Sequence, residues 1–229
     1  MAKKDCLLIF ATIRNWGLQI IMYHSIADNP KDLHAVHPDA FAQDMEDLER
    51  HRYRVIALED AIADLRRWRI PGRTLVLTFD DGYKDFLVNA APVLNMHGLT
   101  ATVFAPTGLL GGTATWDTYD KSKQLMTWDE LEAVQKLGFD VASHTVSHSQ
   151  LTRCDGLSLE RELRGSLDAL RCNLPKVVPV LAYPGGYYGK REMAAAREAG
   201  YIGAVGTASR WANYSWTNSY QLRRRRWTA

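Results

Sequence analysis

An α/β fold built on parallel strands is what this sequence predicts, and three observations predict it. Apolar, β-rich runs alternate with segments of helical periodicity along the 229 residues. The connections between them are short, with no linker, internal repeat or low-complexity stretch. The run "TLVLTF" (74–79) is continuously apolar or β-branched, as expected of a strand covered on both faces. Seven strand-like runs suit a closed or nearly closed barrel forming one domain over residues 1–229. Pattern alone also admits a doubly wound open sheet.

The elements follow in order. "LQIIMYH" (18–24) is an apolar run that ends at a histidine. Pro38 and Asp39 open a helix that places Phe41, Met45 and Leu48 on one side. "YRVIAL" reads as a strand, and Leu58, Ile62 and Leu65 mark the next helix. After 74–79, a helix over 84–97 stops at Gly98, despite Pro92 within it. "LTATVFA" (99–105) is a strand, and Thr127 and Glu130 form a capping box that opens a helix ending at Gly138. "FDVASH" (139–144) is a strand, followed by a helix from Ser158 to Cys172 with Leu163, Leu167 and Leu170 on one face. "VVPVLAY" (177–183), the helical "REMAAAREAG" and "YIGAVG" complete the alternation.

Composition narrows the function classes. A hydrophobic fraction of 46% and a charged fraction of 24% are ordinary for a globular protein. A net charge of +2 gives no reason to expect nucleic acid or an anionic membrane as a partner. The one basic run, Arg223 to Arg226, reads as a solvated tail. Cys6, Cys154 and Cys172 are too few and too scattered for a disulfide framework. No apolar run reaches the roughly 20 residues of a membrane span. "CLLIFATI" (6–13) faintly resembles a signal peptide, but Arg14 and Asn15 interrupt it and no small-residue cleavage site follows. An uncleaved N-terminus, and a cytoplasmic protein, are therefore the expectation.

Parallel α/β folds build their sites at the C-terminal ends of the strands. His24, Asp80, Asp81, His144 and the "PGG" of 184–186 all fall there, from four strands. Asp80 and Asp81 end a buried strand in "TFDDG", where unpaired charge is costly, and a metal ion is the simplest compensator. His144 and His148 in "SHTVSH" stand four residues apart, so a helical turn would project both rings to one side. With an aspartate from a neighbouring strand end they make a His2Asp set, which leaves a coordination position for water.

"TFDDG" (78–82) followed by "HTVSH" (144–148) resembles the first two motifs of the polysaccharide deacetylases, carbohydrate esterase family 4, also called the NodB homology domain. The resemblance extends from "MYHSI" to "YQLRRRR" and implies a distorted (β/α)7 barrel. It implies that Asp80 is the general base and that Asp81, His144 and His148 hold one divalent ion. Zinc is the default for such a site, with nickel, cobalt or iron possible. The reaction implied is hydrolysis of an N-acetyl group on an amino sugar of a glycan or glycan precursor. "AYPGG" (182–186) matches the third motif, with Tyr183, Gly185 and Gly186 facing substrate and the Gly185 N–H on the tetrahedral oxygen.

Two features depart from that pattern. Ala182 stands where the family has an arginine that orients the base, and no histidine follows His148 to act as the acid. Both departures are similar to a permuted branch, the poly-N-acetylglucosamine deacetylases, which begin with a strand ending in Tyr-His. Tyr23 and His24 match it, and His24 becomes the expected acid. Trp116, Trp128, Trp211 and Trp216 are possible sugar platforms, but none stands out from packing. The alternatives are a non-catalytic glycan-binding barrel, a metal-dependent hydrolase of a small acylated substrate, and a magnesium phosphohydrolase. Paired histidines speak against the last of these.

Overall fold

A computed structural model describes residues 17–67, 69–70, 72–207 and 212–226. Cys6, Trp211 and the apolar segment 6–13 lie outside these residues. Among the described residues no helix is long and apolar enough to cross a membrane.

The centre is a parallel sheet curled into a barrel. Its strands are β1 (Gln19–Tyr23), β5 (Thr74–Phe79), β6 (Thr102–Ala105), β7 (Asp140–Ser143), β8 (Val180–Ala182) and β9 (Gly203–Val205), hydrogen-bonded in that order. Two short pairs precede β5: β2 (Ser25–Ile26) lies along β3 (Ala35–Val36), and β4 (Arg54–Val55) along the start of β5. The seventh stave is not the "YRVIAL" run, of which only Arg54 and Val55 pair with a strand. It is the segment 222–226. Leu222 bridges to Val205 of β9, and β10 (Arg225–Arg226) pairs with Ile21 and Met22 of β1. The two edges of the sheet are joined through these five residues.

Register decides which side chains enter the ring. Ile20 is paired with Val76, Met22 with Thr78, Phe104 with Ala142, and Val205 with Leu222. Ile20, Val76, Phe104, Ala142, Val180, Ala182, Val205 and Leu222 form one buried cluster inside the barrel, with Leu58, Ile62 and Leu65 packed against it. Alternate residues such as Ile21, Tyr23, Leu77, Phe79 and Val141 pack outward against the helices Pro38–Arg50, Ala91–Met96 and Trp128–Lys136. The helices Gly156–Asn173 and Lys190–Ala199 cover Leu181 and Ala204 in the same way. Two-residue steps along the strands therefore carry the inward face from apolar to polar: Ile20–Met22–His24, Val76–Thr78–Asp80, Ala142–His144 and Leu222–Arg224–Arg226.

Most expected helices are present, and the Thr127–Glu130 capping box forms in full. The segment expected as one helix over 84–97 is instead a π-helical turn, Phe86–Ala90, followed by the α-helix Ala91–Met96. Pro92 explains the change. It has no N–H to donate, so it is tolerated in the first turn of a new helix and not in the middle of an old one.

Candidate active site

The polar ends of the inward-facing rows meet at the C-terminal mouth, around a cavity of about 260 Å³. His24, Asp80, Asp81, His144, His148, Tyr183, Gly185 and Gly186 all line it, so every site residue expected from sequence is brought to one place.

Asp81, His144 and His148 offer three ligand atoms that lie within 4.8 Å of one another. Asp81 Oδ1 is 3.4 Å from His144 Nε2 and 3.2 Å from His148 Nε2. Four ligands at about 2.0–2.1 Å around a tetrahedral ion would stand about 3.3–3.4 Å apart, so the two distances from Asp81 are close to those of co-ligands. The buried Nδ1 of His144 meets the Ala182 carbonyl at 2.8 Å, so that nitrogen carries the proton and Nε2 is left to face Asp81. The donor set fits a divalent ion.

The rings do not converge through a helix. Residues 145–147 form a turn, and Asp81, Thr145 and His148 hold positive φ values of 72°, 69° and 56°. Non-glycine residues seldom adopt this region, and it costs roughly 1–3 kcal/mol at each position. Glu162 offsets part of that cost. From the helix behind the turn, its carboxylate accepts the N–H of Val146 and Ser147, both at 2.9 Å, and the Ser147 hydroxyl at 2.6 Å.

Asp80 has a different partner. Arg224 grips both of its oxygens, Nη1 to Oδ1 at 2.5 Å and Nη2 to Oδ2 at 2.6 Å, with side-chain exposures of 1% and 5%. The same guanidinium donates to the Gly206 carbonyl and to Thr78 Oγ1. Arg224 is thus no part of a solvated tail. It occupies the inward face of the closing stave, two residues beyond the buried Leu222, and supplies the cation that is absent at Ala182. Burial alone would push the Asp80 carboxyl up, but the charge and hydrogen bonds of Arg224, with His144 and His24 nearby, hold it below the ordinary carboxylate range. For Asp81, burial is likewise outweighed by the hydrogen bonds from His144 and His148, and its carboxyl lies well below that range.

His24 follows Tyr23 at the end of β1, next to Asp80, whose N–H bonds the Tyr23 carbonyl at 3.0 Å. Its pKa is not the ordinary histidine value expected from sequence. Burial pushes it down to about 4, against the pull of Asp81 and Asp80. Tyr183 lines the cavity with its hydroxyl turned away, donating to the Tyr220 carbonyl at 3.0 Å. Gly185 and Gly186 need positive φ values of 63° and 73°, and a Cβ on Gly186 would come within 2.6 Å of Thr207 Oγ1. Trp116 stacks on His148 at 4.3 Å, whereas Trp216 is 71% exposed. One buried clamp holds both outer walls. Lys123 bonds Asp32, beside β3, and Asp117, which also accepts the Tyr83 hydroxyl at 2.9 Å.

A parallel α/β barrel carrying a three-ligand cluster and an arginine-held carboxylate at its mouth is the class these features define. The chain belongs to the polysaccharide deacetylase family, whose model matches residues 69–204. His24 and Arg224 lie outside that span. YxkH of Bacillus subtilis (strain 168), which bears the name of a polysaccharide deacetylase, is 28% identical over 191 residues, 83% of this chain and 64% of its own. The poly-beta-1,6-N-acetyl-D-glucosamine N-deacetylase of Staphylococcus aureus (strain MSSA476) is 22% identical over 176 residues, 73% of this chain and 59% of its own. This chain therefore spans about three fifths of the length of these relatives. Among solved structures, Streptococcus pyogenes deacetylase PplD in complex with acetate superposes with a TM-score of 0.81 at 25% identity, covering 93% of each chain. IcaB from Ammonifex degensii shares the fold, with a TM-score of 0.78 at 20% identity over 93% of this chain and 92% of its own.

Proposed function

We propose that this protein is a metal-dependent de-N-acetylase, hydrolysing the acetamide of an N-acetylated amino sugar in a polysaccharide, oligosaccharide or glycan precursor. The observation that carries the reading is a His2Asp ligand set sharing one cavity with a separate carboxylate that Arg224 keeps ionised.

Asp81, His144 and His148 would hold the ion, with zinc as the default and nickel, cobalt or iron(II) as substitutes. When bound, such an ion polarises the amide carbonyl and lowers the pKa of water beside it. Asp80 is the base. It stays ionised at any working pH and takes the proton of the attacking water. Arg224 occupies one side of both Asp80 oxygens and so fixes the plane in which the remaining lone pairs face the cavity. The main-chain N–H of Gly185 would donate to the tetrahedral oxygen.

An amide nitrogen leaves only after protonation, and His24, which lines the same cavity, is the acid in this scheme. Its low pKa leaves it neutral at rest, so the proton it gives to the leaving nitrogen is the one that Asp80 removes from the attacking water, passed on within the cavity. A non-catalytic glycan-binding barrel would have no use for a buried Arg224–Asp80 pair beside a ligand set. The test is acetate release from a panel of N-acetylglucosamine oligomers, with and without chelator. Release that stops with chelator and returns with added metal is expected. Release indifferent to chelation, or release of phosphate from phosphorylated sugars instead, would overturn the proposal.

A further inference from the structure

Among the described residues the cavity wall carries one cation, Arg226, that this chemistry does not use. Arg226 pairs with Met22 at the closing seam, and its side chain lines the cavity that also holds His24 and Asp81. Arg226 Nη2 lies 2.8 Å from His34 Nε2. The guanidinium donates and the ring nitrogen accepts, so His34 is the neutral partner and cancels none of the charge. Burial, and after it the charge of Arg226, hold His34 below the ordinary histidine range.

The carboxylates nearby are already engaged. Asp32 receives Lys123 and the His34 N–H, the latter at 2.8 Å. Asp117 receives Lys123, the Tyr83 hydroxyl and the N–H groups of Tyr119 and Asp120. Asp80 is held by Arg224, and Asp81 faces His144 and His148. Among the described residues no carboxylate lies within ion-pair distance of Arg226. A half-buried guanidinium in a concave site is poorly hydrated, and its planar fork matches a carboxylate or phosphate far better than a neutral hydroxyl.

We propose that Arg226 recognises an anionic substituent, a carboxylate or a phosphate, carried by the glycan close to the acetamide that enters the site. The inference rests on the deacetylase reading and narrows its substrates to acidic N-acetylated glycans. His34 sets the direction of the guanidinium, and the Asp32–Lys123 contact anchors His34 through its main chain.

Three N-acetylglucosamine oligomers of one length provide the test: one unsubstituted, one bearing a lactyl carboxylate, one bearing a phosphate. Metal-loaded wild-type protein is expected to favour an acidic oligomer by about 10- to 100-fold in kcat/KM, the worth of one charge-assisted contact. The carboxylate and phosphate arms tell the two sources apart. Arg226→Gln is expected to bring the acidic-to-neutral ratio close to one. Equal kcat/KM across the panel, or an acidic preference that survives in Arg226→Gln, overturns the inference. Calorimetric titration of Asp80→Asn protein with the same oligomers reads binding without turnover. If none of the three releases acetate, the deacetylase reading fails on its own account. Calorimetric affinities that are equal, or absent, for all three then overturn the role of Arg226 as well.

Discussion

Replacing Arg224 by methionine would remove the counter-charge of Asp80 while keeping much of the buried volume. Both side chains are almost fully buried, so solvent could replace little of the two bonds of 2.5 and 2.6 Å. Removing one member of such a pair typically costs about 3–5 kcal/mol. The Gly206 carbonyl and Thr78 Oγ1 lose a donor as well. Against a typical total stability of about 5–15 kcal/mol, that is a large fraction. The pH dependence has a definite sign. In the wild type the folded pKa of Asp80 lies below its reference of 3.8, so its contribution is present above that value and is lost as pH falls through the lower folded one. In Arg224→Met burial dominates, the folded pKa rises above the reference, and acidification relieves the variant. The deficit should therefore be largest at neutral pH and shrink toward about pH 4. Urea unfolding at several pH values, on wild type, Arg224→Met and the double variant Arg224→Met/Asp80→Asn, measures it. The double variant should recover much of the loss, because no charge is left stranded. A single variant within about 1 kcal/mol of wild type at neutral pH, the range of an exposed pair, would refute the account, as would a double variant no more stable than the single one.

The remaining predictions concern chemistry. Asp80→Asn should keep its metal but lose turnover by a factor on the order of 10² to 10⁴, and near wild-type acetate release would remove Asp80 from the base role. In His148→Ala, metal analysis should show occupancy collapse; unchanged stoichiometry would mean the ion sits elsewhere. Metal affinity of the wild type should fall as pH drops. Although burial lowers the His144 pKa, its bond to Asp81 raises it net, and that proton must leave before Nε2 can bind. His24→Ala should bind metal normally and deacetylate slowly, with a smaller deficit on an activated ester whose leaving group needs no proton; equal deficits on both substrates would argue against an acid role.

The residues of the site were legible because strand ends are legible. Each of Asp80, His144 and His24 closes an apolar run, and parallel α/β topology sends such ends to one rim. The seventh stave was not legible, because "QLRRRR" has none of the apolar content that marks a buried strand. Its one available signal was the two-residue step from Leu222 to Arg224, which gains meaning only beside a carboxylate needing a partner. "YRVIAL" misled for the opposite reason. Its Ile56 and Leu58 are buried, but they plug the barrel interior and do not extend a strand. The positive φ values at Asp81, Thr145 and His148 left no trace in the sequence either, since none of the three is a glycine. The turn that holds Thr145 and His148 is braced by Glu162, from a helix that follows later in the chain.

The closing stave ties chemistry to the order in which the chain assembles. Until residues 222–226 dock between the first barrel strand and β9, two unpaired parallel edges stay open and Asp80 has no cation beside it. Contacts so distant in sequence form late and slowly, so an almost complete barrel would carry all three prospective ligands yet lack a settled base. Among the described residues the strand pairing to β9 is one bridge, Val205 to Leu222, flanked by hydrogen bonds of 3.0 and 2.8 Å. Parting that seam would take the cation from Asp80 and carry Arg226 off the cavity wall while leaving Asp81, His144 and His148 in place, so local unfolding there and loss of the proposed turnover would coincide.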